Sequence, residues 1–278
     1  MTLSCSLGIR QAKLDTEARA FLADARPWSF ILFAEACVSR EQVRRLCDEL
    51  REAAGHDALI YIDQEGGRVA RLKAPEWPKW PPAAKYGALF AKAPAKGLEA
   101  AKLGYRLIAH ELRSIGVDGD FAPVCDVPVS GADPIIGDRA FSMDPDVIAH
   151  LAGAALAGLS EGGVSGCIKH MPGHGRAEAD SHLALPRVTA SAADLETDLL
   201  PFEALTDAPA AMTAHIVYEA WDADRPATCS PLVIDEIIRG RIGFQGLLMS
   251  DDLDMKALHA RKPRFGPVAT WCCNAPAC

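Results

Sequence analysis

Short apolar runs at 29–33, 58–62, 117–124, 166–168, 210–213 and 246–249, with a weaker one at 3–7, punctuate the chain. Each is of strand length, and most end on polar or ionisable residues. Longer stretches with helical spacing separate them. Ser39 opens a capping box with Gln42, after which Val43, Leu46, Cys47 and Leu50 recur on one face until Gly55. Leu98, Ala101, Tyr105, Ile108, Leu112 and Ile115 keep the same three-and-four spacing and stop at Gly116. Asp144 with Pro145 starts a helix carrying Ile148, Leu151, Ala155 and Leu159 that ends at Gly162 and Gly163; Ser230 with Pro231 does the same for Ile234, Ile237 and Ile238.

Strands alternating with helices predict parallel strands joined by crossovers, which a doubly wound sheet and a (β/α)8 barrel both satisfy. No Gly-rich phosphate loop follows the first strand, and polar residues stand at the ends of many strands. That spread favours an α/β fold of the (β/α)8 TIM type. Such a barrel needs eight units and roughly 250 residues, whereas seven strand candidates precede residue 261. The expectation is therefore an incomplete (β/α) barrel domain over 1–260, its last β/α unit missing. A tail over 261–278 has neither helical nor strand period and is expected to be disordered.

Composition narrows the class. The 278 residues are 49% hydrophobic and 24% charged, the profile of a globular chain with one large core. With 29 Lys and Arg against 37 Asp and Glu the net charge is −8, which speaks against nucleic-acid and anionic membrane partners and for a small-molecule substrate. Nine cysteines form no CxxC pair, against both a disulfide framework and a structural zinc site. Cysteines 5, 37, 47, 125, 167 and 229 sit in or beside apolar runs and read as small core residues, whereas three others fall within 261–278, which also carries three basic and no acidic residues. No signal-peptide pattern opens the chain and no run approaches ~18 apolar residues, so a cytoplasmic protein is expected.

The candidate chemistry lies just past the apolar runs. Lys169-His170-Met171-Pro172-Gly173-His174-Gly175 leads into Asp180-Ser181-His182; Ser250-Asp251-Asp252-Leu253-Asp254 follows another run; Asp63-Gln64-Glu65-Gly66-Gly67-Arg68-Val69-Ala70-Arg71 follows a third, its paired glycines permitting a tight turn or a close backbone approach. Asp126 and Arg139 complete the set. In a barrel these strand ends converge on one mouth, suited to a polyhydroxylated ligand held by charge-assisted hydrogen bonds. Glycoside hydrolysis needs a nucleophile or base on one face of the anomeric carbon and a proton donor on the other.

The blocks DQEGGRVARL, FAPVCDV, IIGDRAF, KHMPGHG with its trailing DSH, TAH and MSDDLDM, in this order between residues 29 and 258, resemble those of the β-N-acetylhexosaminidases of glycoside hydrolase family three. The resemblance implies a retaining exo-β-N-acetylglucosaminidase of peptidoglycan recycling. It would act on N-acetylglucosaminyl-anhydromuramyl peptides or related β-N-acetylglucosaminides, as a monomer, with no metal and no cofactor. It assigns Asp251 as nucleophile, His182 as acid/base with Asp180 as its partner, and Asp63, Arg71, Arg139, Lys169 and His170 as the residues that hold the sugar. An imidazole can act as general acid when a carboxylate stabilises its charged form, and its neutral form would not repel an incoming anion, which leaves phosphorolysis open beside hydrolysis.

Plainer roles compete. Taken alone, Asp251 reads equally as a cap on the next helix and Asp180 with His182 as a loop motif; the flanking blocks shift both toward chemistry. Arg71, Arg139, Lys169, His170 and Asp63 could instead be ion-pair partners closing the barrel end, and for Asp126, His174, His215 and Asp252 the structural role leads. Trp77 and Trp80 read as loop packing rather than as a sugar platform. A metal-dependent barrel hydrolase using some of His170, His174, His182, His215 and Asp251 as ligands is the competing enzyme class. A third reading is an inactive truncated barrel or sugar-binding remnant, because the expected family ending does not follow Leu258 and a frame change there accounts for the basic, Cys-rich tail.

Overall fold

The computed structural model describes residues 2–177, 185–255 and 258. Seven strands, β1 (Leu3–Ile9), β2 (Pro27–Leu32), β3 (Leu59–Ile62), β4 (Gly119–Asp120), β5 (Ser165–Met171), β6 (Ala210–Thr213) and β7 (Leu247–Ser250), hydrogen-bond in chain order into one sheet. Every pair is parallel. The sheet curls as a barrel wall does, and among the described residues β1 and β7 are its edges. Among the described residues the architecture is the incomplete barrel read from the sequence; the boundary near residue 260 and the tail lie outside the described residues.

All seven apolar runs became strands, the fourth much shorter than its pattern. Pro123 has no N–H to give the ladder. Beyond Asp120 the chain stays beside β5 through separate bonds, Cys167 N–H to Ala122 O (2.9 Å) and Cys125 N–H to Lys169 O (2.7 Å), rather than as a regular strand.

Helices α1 (Thr16–Ala25), α2 (Arg40–Ala54), α3 (Ala83–Lys92), α4 (Pro94–Ser114), α5 (Pro145–Glu161) and α6 (Ala192–Glu203), with the π-helical segment Val233–Ile242, supply the crossovers. Ser39 and Asp144 cap their helices as read. The box around Ser39 is shifted by one residue: Gln42 Oε1 accepts from Val38 N–H, because its Nε2 is drawn to Ala12 O and Ala36 O. Helices α1 and α6 left weak patterns, since α1 buries only Leu22 and α6 carries Pro201 and a buried Asp198 within its span.

The strands are buried on both faces, as a parallel wall requires. Phe30, Leu32, Ile60, Ile62 and Ile168 point outward onto Val43, Leu46 and Leu50 of α2, Tyr105, Ile108 and Leu112 of α4, and Leu151 and Leu159 of α5. The alternate residues Tyr61, Cys167, Ala210, Met212 and Met249 join Phe121 to fill the interior, where Tyr61 stacks on Phe121 with centroids 5.1 Å apart. Trp77 is buried and Trp80 packs on the outer core, the loop role read for both. Of the six described cysteines, Cys47, Cys125 and Cys167 are buried. None of the described helices is long and apolar enough to cross a membrane.

This packing predicts a sharp contrast. Ile60→Ala in β3, fully buried, is expected to lose about 2–5 kcal/mol of stability in denaturant unfolding, whereas Leu103→Ala on the outside of α4, 53% exposed, should stay within about 0.5 kcal/mol. Equal losses would contradict this division of the wall.

Candidate active site

The site begins where β3 ends. Asp63 leaves the strand, and residues Gln64–Gly66 pair with Val69–Ala70 as a small hairpin. Gly66 and Gly67 turn it, with φ of +95° and +59°. A Cβ on Gly66 would also lie 2.4 Å from Pro81 O, so the paired glycines serve both conformation and close approach. Gln64 clamps the hairpin from within: its Oε1 accepts from Arg71 N–H and Leu72 N–H at 3.0 Å, and its Nε2 donates to Leu72 O at 3.2 Å. Asp63 and Glu65, two residues apart, both meet Lys169.

Lys169, on β5, is 2% exposed and fully engaged. Its Nζ lies 2.8 Å from Asp63 Oδ1 and 2.6 Å from Glu65 Oε1. Arg71 Nη2 reaches Asp63 Oδ2 at 2.9 Å, and Arg139, from the short turn Gly137–Arg139, makes a two-point pair with Glu65 at 2.9 and 2.8 Å. Burial works against both carboxylates, but the cations outweigh it. Lys169 and Arg71 hold Asp63 below the ordinary carboxylate range, and Lys169 and Arg139 bring Glu65 down to about 2. Burial opposes the charges on Lys169 and Arg139 in turn, and the carboxylates raise both pKa values above normal.

A second group continues the chain of contacts. Asp126, fully buried, accepts from the backbone N–H of His170 (3.1 Å) and His174 (2.7 Å) through Oδ1, and meets His170 Nδ1 at 2.7 Å through Oδ2. Desolvation is more than offset by the two imidazoles and these bonds, leaving Asp126 at about 2. The carboxylate makes Nδ1 of His170 the donor and fixes that ring, whose Nε2 stands 3.5 Å from Arg139 Nη2. Burial, then His170, pushes His174 down to about 4.

Asp251 follows β7. Its Oδ1 accepts from the Asp252 N–H at 2.7 Å. Burial raises its pKa; His215, His170, the Asp252 amide and Lys169 more than cancel this and hold the carboxyl ionised. His215 contacts Asp252 O through Nε2 (3.0 Å) and Thr228 Oγ1 through Nδ1 (2.7 Å), which ties the end of β7 to the segment after β6.

The structure thus brings Asp63, Arg71, Arg139, Lys169 and His170 into one connected network, with Asp251 within electrostatic reach of His170 and Lys169. Asp126, His174, His215 and Asp252 serve as the supports read for them. Asp180 and His182 lie outside the described residues. Among the described residues no three His, Cys, Asp or Glu side chains gather as a metal-ligand set. Glu65 was missed as a site residue although it stands in the same block; its spacing of two from Asp63 put it on the same side of an extended segment and was the available signal. Asp120 was missed as well; its place inside the apolar run 117–124 was the available signal for a buried carboxyl.

With this geometry in view, the comparisons with known proteins are direct. The profile of the glycosyl hydrolase family 3 N-terminal domain matches residues 5–266. The chain belongs to this family. The family 3 match runs past Met255, where the last quoted motif ends. A beta-hexosaminidase of Alkalilimnicola ehrlichii is 39% identical over 254 residues, covering 90% of this chain and 72% of that protein, and one of Methylococcus capsulatus is 40% identical over 246 residues, covering 87% and 72%. Among solved structures, NagZ from Neisseria gonorrhoeae in complex with N-trifluoroacetyl-D-glucosamine superposes with a TM-score of 0.86 at 33% identity, covering 96% of this family 3 chain and 78% of that one. The beta-N-acetylhexosaminidase from Beutenbergia cavernae gives 0.82 at 28% identity, covering 92% and 78%. The family resemblance and the glycoside-hydrolase class expected from the motifs are borne out.

The buried network sets a pH dependence. An unfolded glutamate titrates near ~4.3 and Glu65 near 2, so its contribution to stability is present above pH ~4.3 and is lost as pH falls through about 2. Glu65→Gln should cost about 3–5 kcal/mol at neutral pH by leaving Lys169 and Arg139 underpaired. The gap from wild type should shrink as urea unfolding is repeated toward pH 2; a gap independent of pH would refute the ionised pairing.

Proposed function

We propose that the chain is a retaining exo-β-N-acetylglucosaminidase that removes N-acetylglucosamine from muropeptides, with Asp251 as nucleophile and His182, assisted by Asp180, as acid/base. The observation that carries this reading is the Asp251 carboxylate, kept ionised at the end of a barrel strand beside the Asp63, Arg71, Lys169, His170 and Arg139 network. The beta-hexosaminidase relatives and the N-trifluoroacetyl-D-glucosamine bound by the gonococcal NagZ support a 2-acylamino sugar as substrate.

In this mechanism Asp251 attacks the anomeric carbon while the imidazolium of His182 gives its proton to the departing oxygen, forming a glycosyl-enzyme. Neutral His182 then takes a proton from water as the water oxygen displaces Asp251, restoring both groups. Asp63 accepts from sugar hydroxyls, and Arg71 donates. The Arg71 side chain is 28% exposed while its Nη2 is tied to Asp63, so the guanidinium is held at the rim with donors to offer. The muropeptide aglycone and a place in peptidoglycan recycling rest on the family resemblance.

The test is turnover of an aryl β-N-acetylglucosaminide. Asp251→Ala should lower kcat by roughly 10³–10⁴-fold or more, and a slow fluorinated substrate should add the mass of one sugar to the peptide containing Asp251. Arg71→Met should lower kcat/KM by about 10- to 100-fold, the scale of one charge-assisted hydrogen bond. Equal turnover by wild type and Asp251→Ala would sink the assignment. Adding inorganic phosphate reports whether phosphate replaces water as acceptor.

A further inference from the structure

Asp120 is a fully buried carboxyl that the mechanism does not use. It sits on β4 opposite Ile62, the residue before Asp63. Its Oδ1 accepts from the backbone N–H of Gln64 at 2.9 Å and so holds the turn from which Asp63 and Glu65 project. Its Oδ2, also buried, has no hydrogen-bond partner among the described residues. Among the described residues the cation that acts on it is Lys169, whose ammonium is already committed at 2.8 and 2.6 Å to Asp63 and Glu65.

A carboxylate in this setting would be a third negative charge beside two others, desolvated and with one oxygen unsolvated. Such a group keeps its proton instead. The groups that face it are Asp63 and Glu65 from the β3 exit, Lys169 and Cys167 from β5, and Tyr105 from α4. Burial raises the pKa of Asp120, the Gln64 amide and Lys169 oppose this, and Asp63 and Glu65 add to it, for a value of about 8. Burial holds Cys167 and Tyr105 neutral.

We propose that Asp120 is a positioning residue of the sugar-holding network. Its protonated, neutral carboxyl orients the Asp63–Glu65 turn without competing for Lys169, and loss of that proton loosens substrate binding. Ionised Asp120 draws Lys169 away from the carboxylates that fix it, so the effect belongs in KM rather than kcat. The binding part of this inference rests on the glycosidase reading; the protonation part does not.

Asp120→Asn tests it, since the amide keeps an acceptor for Gln64 N–H and nearly the same volume but cannot ionise. A carboxyl whose pKa is higher folded than unfolded loses its favourable contribution as pH rises from the unfolded value of ~3.9 through about 8. The melting temperature of Asp120→Asn relative to wild type should therefore climb over that interval and level off above it. Infrared difference spectra of the wild type between neutral and alkaline pH should show loss of a protonated-carboxyl C=O band, a measurement that needs no variant and is absent from Asp120→Asn. With the aryl substrate, wild-type KM should rise several-fold above pH 8 while that of Asp120→Asn stays flat. A melting offset constant at every pH, or no carboxyl band lost, overturns the protonation; superimposable KM profiles overturn the positioning role. If the wild type turns over no aryl substrate, the glycosidase reading fails, and the unfolding and infrared results still decide the protonation.

Discussion

The ammonium of Lys169 is the point on which the site depends. It is buried, and a buried cation is tolerated only where anions and hydrogen bonds replace water. Asp63 and Glu65 do so at 2.8 and 2.6 Å. Each of those carboxylates, now also desolvated, requires a further cation, and Arg71 and Arg139 answer from two separate loops. A single lysine on β5 thereby draws the β3 exit, the hairpin and the turn at Gly137–Arg139 into one arrangement. Such a network is a weak source of net stability but a strong constraint on geometry, because removing any member leaves a charge stranded.

The parallel wall makes this arrangement possible. Parallel strands all end at the same rim, so residues far apart in sequence, such as Asp63, Lys169 and Asp251, emerge on one side. Alternation along each strand separates the outward faces packed on α2, α4 and α5 from an interior filled by Tyr61, Phe121, Met212 and Met249. That filled interior places apolar side chains beneath the site, and a medium of low polarity strengthens the ionic contacts above it.

Within a short distance the same fold keeps carboxyls in opposite protonation states. Asp63, Glu65, Asp126 and Asp251 have cations, imidazoles or amides in place and stay ionised; Asp120 has one amide and, among the described residues, only the committed Lys169 as cation, and burial prevails. The difference is one of partners rather than of depth.

Much of the architecture was legible in the sequence. Seven apolar runs, the helix caps at Ser39 and Asp144, and the polar clusters past the runs are local features, set by periodicity and by backbone groups that must find partners within a few residues. The spacing of two between Asp63 and Glu65 was also there to be read. Other features had no local signal. The shifted box at Gln42 depends on the carbonyls of Ala12 and Ala36. The pairing of Glu65 with both Arg139 and Lys169, and the isolation of Asp120 from any free cation, follow from distances between residues remote in the chain. Residue type and period determined which elements form and which groups reach the rim. Only the tertiary structure decided which charges meet, because pairing and desolvation are set by the folded neighbours.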